Sequence, residues 1–128
     1  MMRLRALIAV PIVTMGGACT APAGNGTVCT ALFAYGISVS VIDSASGAAA
    51  GAGATVVASE GPYADSVVVP LTASPSFPIG LAGERAGTYL VTVRKSGYRN
   101  WRRSDVVVTK DECHVKGVAV TAKIQPVP

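Results

Sequence analysis

The chain predicts an all-β domain: a single seven-stranded β-sandwich. Three observations predict it. The apolar half of the composition is dominated by small and β-branched side chains, with phenylalanine appearing twice and tryptophan once. Valine and threonine suit a pleated, half-buried surface. Outside the first eighteen residues the apolar positions recur with a period of two, and no stretch holds a helical period. Clusters of Gly, Pro, Ser and Asp punctuate these runs at regular spacing, as turns between short strands do.

The elements follow in order. Ile37, Val39 and Val41 alternate with Ser38, Ser40 and Ile42 in the first strand. Residues 43–53 are small and glycine-rich, a loop. Residues 54–59 form a short strand, and Glu60-Gly61-Pro62 is turn chemistry. Residues 63–71 are a second valine-rich run. Residues 72–78 carry two prolines and two serines and read as loop. Residues 77–81 make a short edge strand, because Pro78 lacks an N–H and is tolerated only at an edge. Residues 83–87 turn the chain. The clearest strand is 87–95, where Tyr89, Val91 and Val93 point one way and Thr88, Leu90, Thr92 and Arg94 the other. Ser96-Gly97 turns it back, with glycine meeting a need for positive φ or close approach. Strands at 99–108 and 113–124 complete the set, joined by Lys110-Asp111-Glu112. Val118, Val120, Ala122 and Ile124 share one face, and residues 125–128 are a short tail.

The N-terminus has a separate logic. Arg3 and Arg5 precede an apolar run at 6–15, and Gly16-Gly17-Ala18 leads into Cys19. This is the layout of a secretory signal, and the cysteine after small residues resembles a bacterial lipobox. Gly16 stands where such motifs usually carry leucine, and Ala21-Pro22-Ala23 offers an alternative cleavage site just before Gly24. The apolar run is shorter than the ~20 residues a bilayer span needs. Residues 1–18 are thus expected to be a signal peptide, Cys19 the lipidation site, 19–28 a flexible tether and 29–126 the domain. The implied localisation is extracytoplasmic, on a membrane-anchored lipoprotein at the periplasmic or cell surface.

The net charge of +4 includes Arg3 and Arg5, so the domain itself is only mildly basic. That is no evidence for nucleic-acid binding, which usually shows a strongly basic face. With Cys19 assigned to lipid, Cys29 and Cys113 remain as an even pair in an oxidising compartment and are expected to form a disulfide. A metal site would need more ligands than these two and the single His114 supply.

Residues 87–98, Gly-Thr-Tyr-Leu-Val-Thr-Val-Arg-Lys-Ser-Gly-Tyr, carry the pattern G-x-Y-x-V-x-V followed by a turn ending in Gly-Tyr. Upstream lie Val39-Ser40-Val41-Ile42-Asp43, a Ser46-Gly47 turn and Gly53-Ala54-Thr55-Val56. Together they resemble the carboxypeptidase regulatory-like domain, a β-sandwich of transthyretin-like or immunoglobulin-like type, over residues 36–124. The resemblance implies an accessory module without catalytic residues of its own. The Cys29 and Cys113 pair lies outside the family's general pattern and suggests a secreted subgroup.

Three constellations bear on chemistry. A Ser–His–Asp triad has only His114 as base, and no G-x-S-x-G elbow is present. Asp111, Glu112 and His114 cluster in sequence, but two or three ligands from one turn hold a metal weakly, and a solvated turn is the plainer reading. Arg94, Lys95, Arg99, Arg102 and Arg103 surround Tyr98 and Trp101. Basic residues interleaved with aromatics can hold an anionic glycan, while the plainer reading is a set of charges guarding a sheet edge. On an extended strand Arg99, Trp101 and Arg103 share one face and Asn100 and Arg102 take the other, so those three are the candidate ligand contacts. The expectation is a non-enzymatic structural or interaction module of the envelope, with no catalytic residue, cofactor or metal. Its alternative is an anionic-glycan binder acting through the hairpin from Arg94 to Arg103. The partners are a membrane through the lipid, an unidentified protein or glycan, and no nucleic acid.

Overall fold

A computed structural model describes residue 24 and residues 26–128. The signal segment, Cys19 and residues 20–23 lie outside the described residues. Among those described, every regular element is a strand: β1 Tyr35–Asp43, β2 Thr55–Glu60, β3 Tyr63–Val68, β4 Ile79–Gly83, β5 Gly87–Arg94, β6 Trp101–Lys110, β7 Val115–Lys116 and β8 Val118–Ile124. They form a three-stranded sheet in the order β4-β1-β8 and a five-stranded sheet in the order β3-β2-β5-β6-β7. The two sheets share one core, as in a β-sandwich.

The eighth strand comes from a division of the expected run 113–124. At Gly117 the chain changes sheets. β7 pairs antiparallel with the end of β6, whereas β8 pairs parallel with β1 from Ile37↔Val118 to Asp43↔Ile124. A Cβ on Gly117 would stand 3.1 Å from the Tyr35 carbonyl, tighter than ordinary van der Waals contact. The other boundaries move for local reasons. β4 runs from Ile79 to Gly83 rather than 77–81, beginning just after Pro78, which has no N–H for a ladder, and it lies at the edge of its sheet. β6 begins at Trp101, because the Arg99 amide is already donated to the Gln125 carbonyl (2.8 Å). The C-terminal residues are held rather than loose, with Tyr98 bridging to Pro126 and the Val127 amide donated to the Gly97 carbonyl (3.0 Å).

Alternation places the core as the sequence read it. Ile37, Val39 and Val41 of β1, Val56 and Ala58 of β2, Tyr89, Val91 and Val93 of β5, and Val120, Ala122 and Ile124 of β8 are buried. Tyr89 is the one aromatic ring among the buried residues. Its hydroxyl donates to the Arg85 carbonyl (2.9 Å) and accepts from Arg85 Nη1 (2.9 Å), so the interior has no unpaired polar group there. Arg85 in turn reaches Glu60 (2.9 Å) and lies 3.9 Å over the Tyr63 ring. At the other end, the Tyr98 hydroxyl donates to Asp43 Oδ2 (2.7 Å), while Asp43 Oδ1 accepts the Ala45 and Ser46 amides. Gly97 has φ +81 with open space where a side chain would stand, so conformation, not crowding, requires glycine there.

Gly36 is the converse case. A Cβ there would meet the Ala82 carbonyl oxygen at 2.7 Å and a Val108 methyl at 3.0 Å. Backbone cannot step aside, so Gly36→Ala should destabilise the fold by about 1–3 kcal/mol, the usual range for overpacking. Urea unfolding of the variant beside the parent measures it.

Candidate functional site

The β5–β6 hairpin builds a surface depression. Val93 pairs with Trp101, Thr92 with Arg102 and Val91 with Arg103. Directly opposed residues project to the same face. Thr92, Arg94 and Leu90 therefore stand on the outer face of β5, and Arg102 stands across from Thr92. With Asn100 and Trp101 they line a depression of about 390 Å³. Trp101 sits opposite the buried Val93 and is half-buried, packed against the core, leaving part of its ring to form a wall. The lining has an apolar floor and two guanidinium groups.

This is not the grouping that alternation alone gave. Trp101 lines the depression, but Arg99 and Arg103 do not, and Arg94, Asn100 and Arg102 do. Arg99 precedes the strand, in the segment paired to the C-terminal residues. Arg103 lies next to an irregularity: the register shifts between Tyr89 and Val91, and across from it Asp105 adopts φ +57. Arg94 and Arg102 belong to the basic cluster legible in the sequence, and Asn100 and Arg102 to the face alternation sets opposite Trp101. Their meeting depended on register.

The opposite end carries the disulfide. Cys29 and Cys113 are bonded with Cα atoms 5.2 Å apart, tying the segment before β1 to the turn before β7. Asp111 Oδ1 accepts the Cys113 (2.8 Å) and His114 (3.0 Å) amides, so this carboxylate caps the turn. Glu112 receives the Thr27 hydroxyl. No group of three or more His, Cys, Asp and Glu side chains arranged to hold a metal occurs among the described residues.

His114 has neighbours the sequence did not reveal. Its Nδ1 faces Glu84 Oε1 at 3.0 Å, and its Nε2 faces the Thr30 carbonyl at 3.0 Å and the Thr30 hydroxyl at 3.3 Å. A hydroxyl, an imidazole and a carboxylate in a row resemble a nucleophile–base–orienter set. The details argue otherwise. A general base needs a free lone pair at Nε2, but here that nitrogen faces a carbonyl oxygen, which calls for an N–H. The arrangement is a clasp on the N-terminal segment, reinforced where Glu84 accepts the Ala34 amide (2.6 Å).

No family model matches the chain, and no curated protein or solved structure matches it significantly.

Four carboxyl groups are held below their ordinary values by the hydrogen bonds they accept. The Ser46 amide, then the Tyr98 hydroxyl, lowers Asp43; the Thr88 amide, then Arg85, lowers Glu60. The Ala34 amide, then His114, lowers Glu84; the His114 and Cys113 amides lower Asp111. A depressed folded value means the unfolded chain binds the proton first. The stability these groups contribute is complete above their ordinary values, 3.8 for Asp and 4.5 for Glu, and is lost as pH falls through the lowered ones. The urea midpoint should therefore be lower at about pH 3 than at about pH 7, by far-UV circular dichroism. The disulfide closes a span of 84 positions, and replacing both cysteines with serine should cost about 4–5 kcal/mol on the loop-entropy account. Comparing the unfolding free energies of the double variant and the parent tests that figure.

Proposed function

We propose that this chain is a non-enzymatic envelope lipoprotein whose single domain serves as a structural or interaction module. In this reading residues 1–18 direct export, Cys19 carries the acyl chains, and residues 29–126 form a transthyretin-like sandwich of the carboxypeptidase regulatory-like type. The disulfide is the observation that carries it. A bridge across nearly the whole domain belongs to an oxidising compartment, which agrees with the signal-like N-terminus. The domain name rests on the quoted residues. Tyr89 is buried at the heart of the motif strand, and Tyr98 locks the following turn to Asp43. The clasped geometry of His114 favours a module over a hydrolase.

A second reading, recognition of an anionic glycan through the hairpin from Arg94 to Arg103, is favoured by the depression between Arg94 and Arg102 beside Trp101.

Stable anchoring needs more than one acyl chain, which a lipidated N-terminal cysteine supplies. Replacing Cys19 with serine should move the protein from the membrane to the soluble fraction on cell fractionation. Membrane partition unchanged in the variant, or a mature N-terminus at Gly24 by mass spectrometry, would overturn the anchoring assignment.

A further inference from the structure

Charge is divided along the strand direction. At the end where β5 closes and β6 opens stand Arg94, Lys95, Arg99, Arg102, Arg103 and, on β8, Lys123, with Asp43 as the one carboxylate. The half that carries the disulfide holds Glu60, Asp65, Glu84, Asp105, Asp111 and Glu112 against Arg85, Lys110 and Lys116. The ion pairs among the described residues, Arg85 with Glu60 and His114 with Glu84, both lie in the acidic half. At the basic end Asp43 is engaged by Tyr98, and Lys95 Nζ donates to the Ala50 carbonyl (2.9 Å). Among the described residues no carboxylate lies within 4 Å of the four arginines, and all four are exposed.

Two of these guanidinium groups, Arg94 and Arg102, flank the depression described above, with Thr92 and Asn100 as neutral hydrogen-bonding groups and Leu90 and Trp101 as apolar surface. A guanidinium fork matches a carboxylate in two parallel hydrogen bonds. The hydroxyl and amide suit sugar hydroxyls, and the indole suits the apolar face of a pyranose ring. We propose that this depression binds a carboxylate-bearing polysaccharide, with Arg94 and Arg102 on the carboxylates and Trp101 against a sugar ring. The assignment rests on the envelope reading and specifies the ligand class of its second form.

The described N-terminal segment joins the domain at the acidic end, beside the disulfide. Cys19 lies ten positions before Cys29, a reach of at most about 36 Å. The nine residues of β1 already extend roughly 30 Å from that end to the other. The described N-terminal segment thus enters at the end away from the basic groups, and the vesicle arm of the titration distinguishes a polymer from the anchoring bilayer.

The test uses the exported chain carrying Cys19→Ser, so that no acyl chain confounds the result. It is titrated with polygalacturonate, with neutral dextran and with phosphatidylglycerol vesicles while Trp101 emission is followed. The expected result is saturable binding to polygalacturonate with a shift in emission, no binding to dextran, and weakening as salt rises from about 0.05 M to about 0.5 M. Arg102→Gln should weaken binding about tenfold. Arg99→Gln, outside the depression, should weaken it less than about threefold. Arg94→Gln serves as the second variant if Arg102→Gln lowers the melting temperature. No binding at low salt, equal losses from Arg99→Gln and Arg102→Gln, or equal binding to the vesicles would overturn the proposal. Failure here leaves the anchoring assignment standing, because fractionation of the Cys19→Ser variant decides that separately.

Discussion

The buried hydroxyl of Tyr89 is the constraint on which this fold turns. The core is otherwise valine, alanine, isoleucine and one leucine, and such side chains fill a two-sheet interior only if something larger occupies its middle. A single aromatic ring does so, but a tyrosine brings a polar atom that must be paired in an apolar medium. Arg85 answers from the loop between β4 and β5, giving both a carbonyl and a guanidinium N–H to that oxygen. The same guanidinium spans Glu60 and covers Tyr63, and Glu60 takes the Thr88 amide. One buried oxygen thus fixes the loop that crosses between the sheets, the β2–β3 turn and the start of β5.

How much of this could be read beforehand depended on whether a feature belongs to one strand or to two. The inward rows of β1, β5 and β8 follow from alternation alone, and Tyr89, Val120 and Ile124 lie where period two puts them. β4 lies at a sheet edge, as expected of the strand beside Pro78, but begins only after the proline. What escaped was everything set by a partner. Gly117 divides the last run because its two halves pair with different sheets, and nothing in the local residues marks that choice. Arg99 is drawn out of β6 by a carbonyl at Gln125, in a segment that reads as loose. At the candidate site, Trp101 was legible. Its companions were not, because the register that seats Arg102 beside Thr92 is a property of the pair.

The two ends of the domain solve different problems. The disulfide end gathers the long-range ties: a covalent bridge, a histidine clasp and three carboxylates engaged with amides or a guanidinium. Its acidic groups are absorbed into structure. At the other end the turn between β5 and β6 is secured by the Tyr98 hydroxyl on Asp43 and by backbone contacts to the C-terminal residues. Its arginines are left out of the folding arrangement altogether. Their charge adds mutual repulsion that the fold does not relieve, and β6 remains an open sheet edge along most of its length, since β7 covers only Thr109 and Lys110. Positive charge beside an open edge also discourages pairing with another chain.

The parallel pairing of β1 with β8 has a bearing on how the molecule is made. Synthesis proceeds from the N-terminus, so β1 emerges first, yet its partner along seven paired positions is the last strand to appear. Until then β1 has only β4 beside it, and one flank of the three-stranded sheet stays bare. The hairpins β2–β3 and β5–β6 can form from nearby residues, but the small sheet cannot close until almost every residue has been delivered. Contacts of such long sequence separation slow folding. The three-stranded sheet is therefore completed late, only once the last of the described strands has been made.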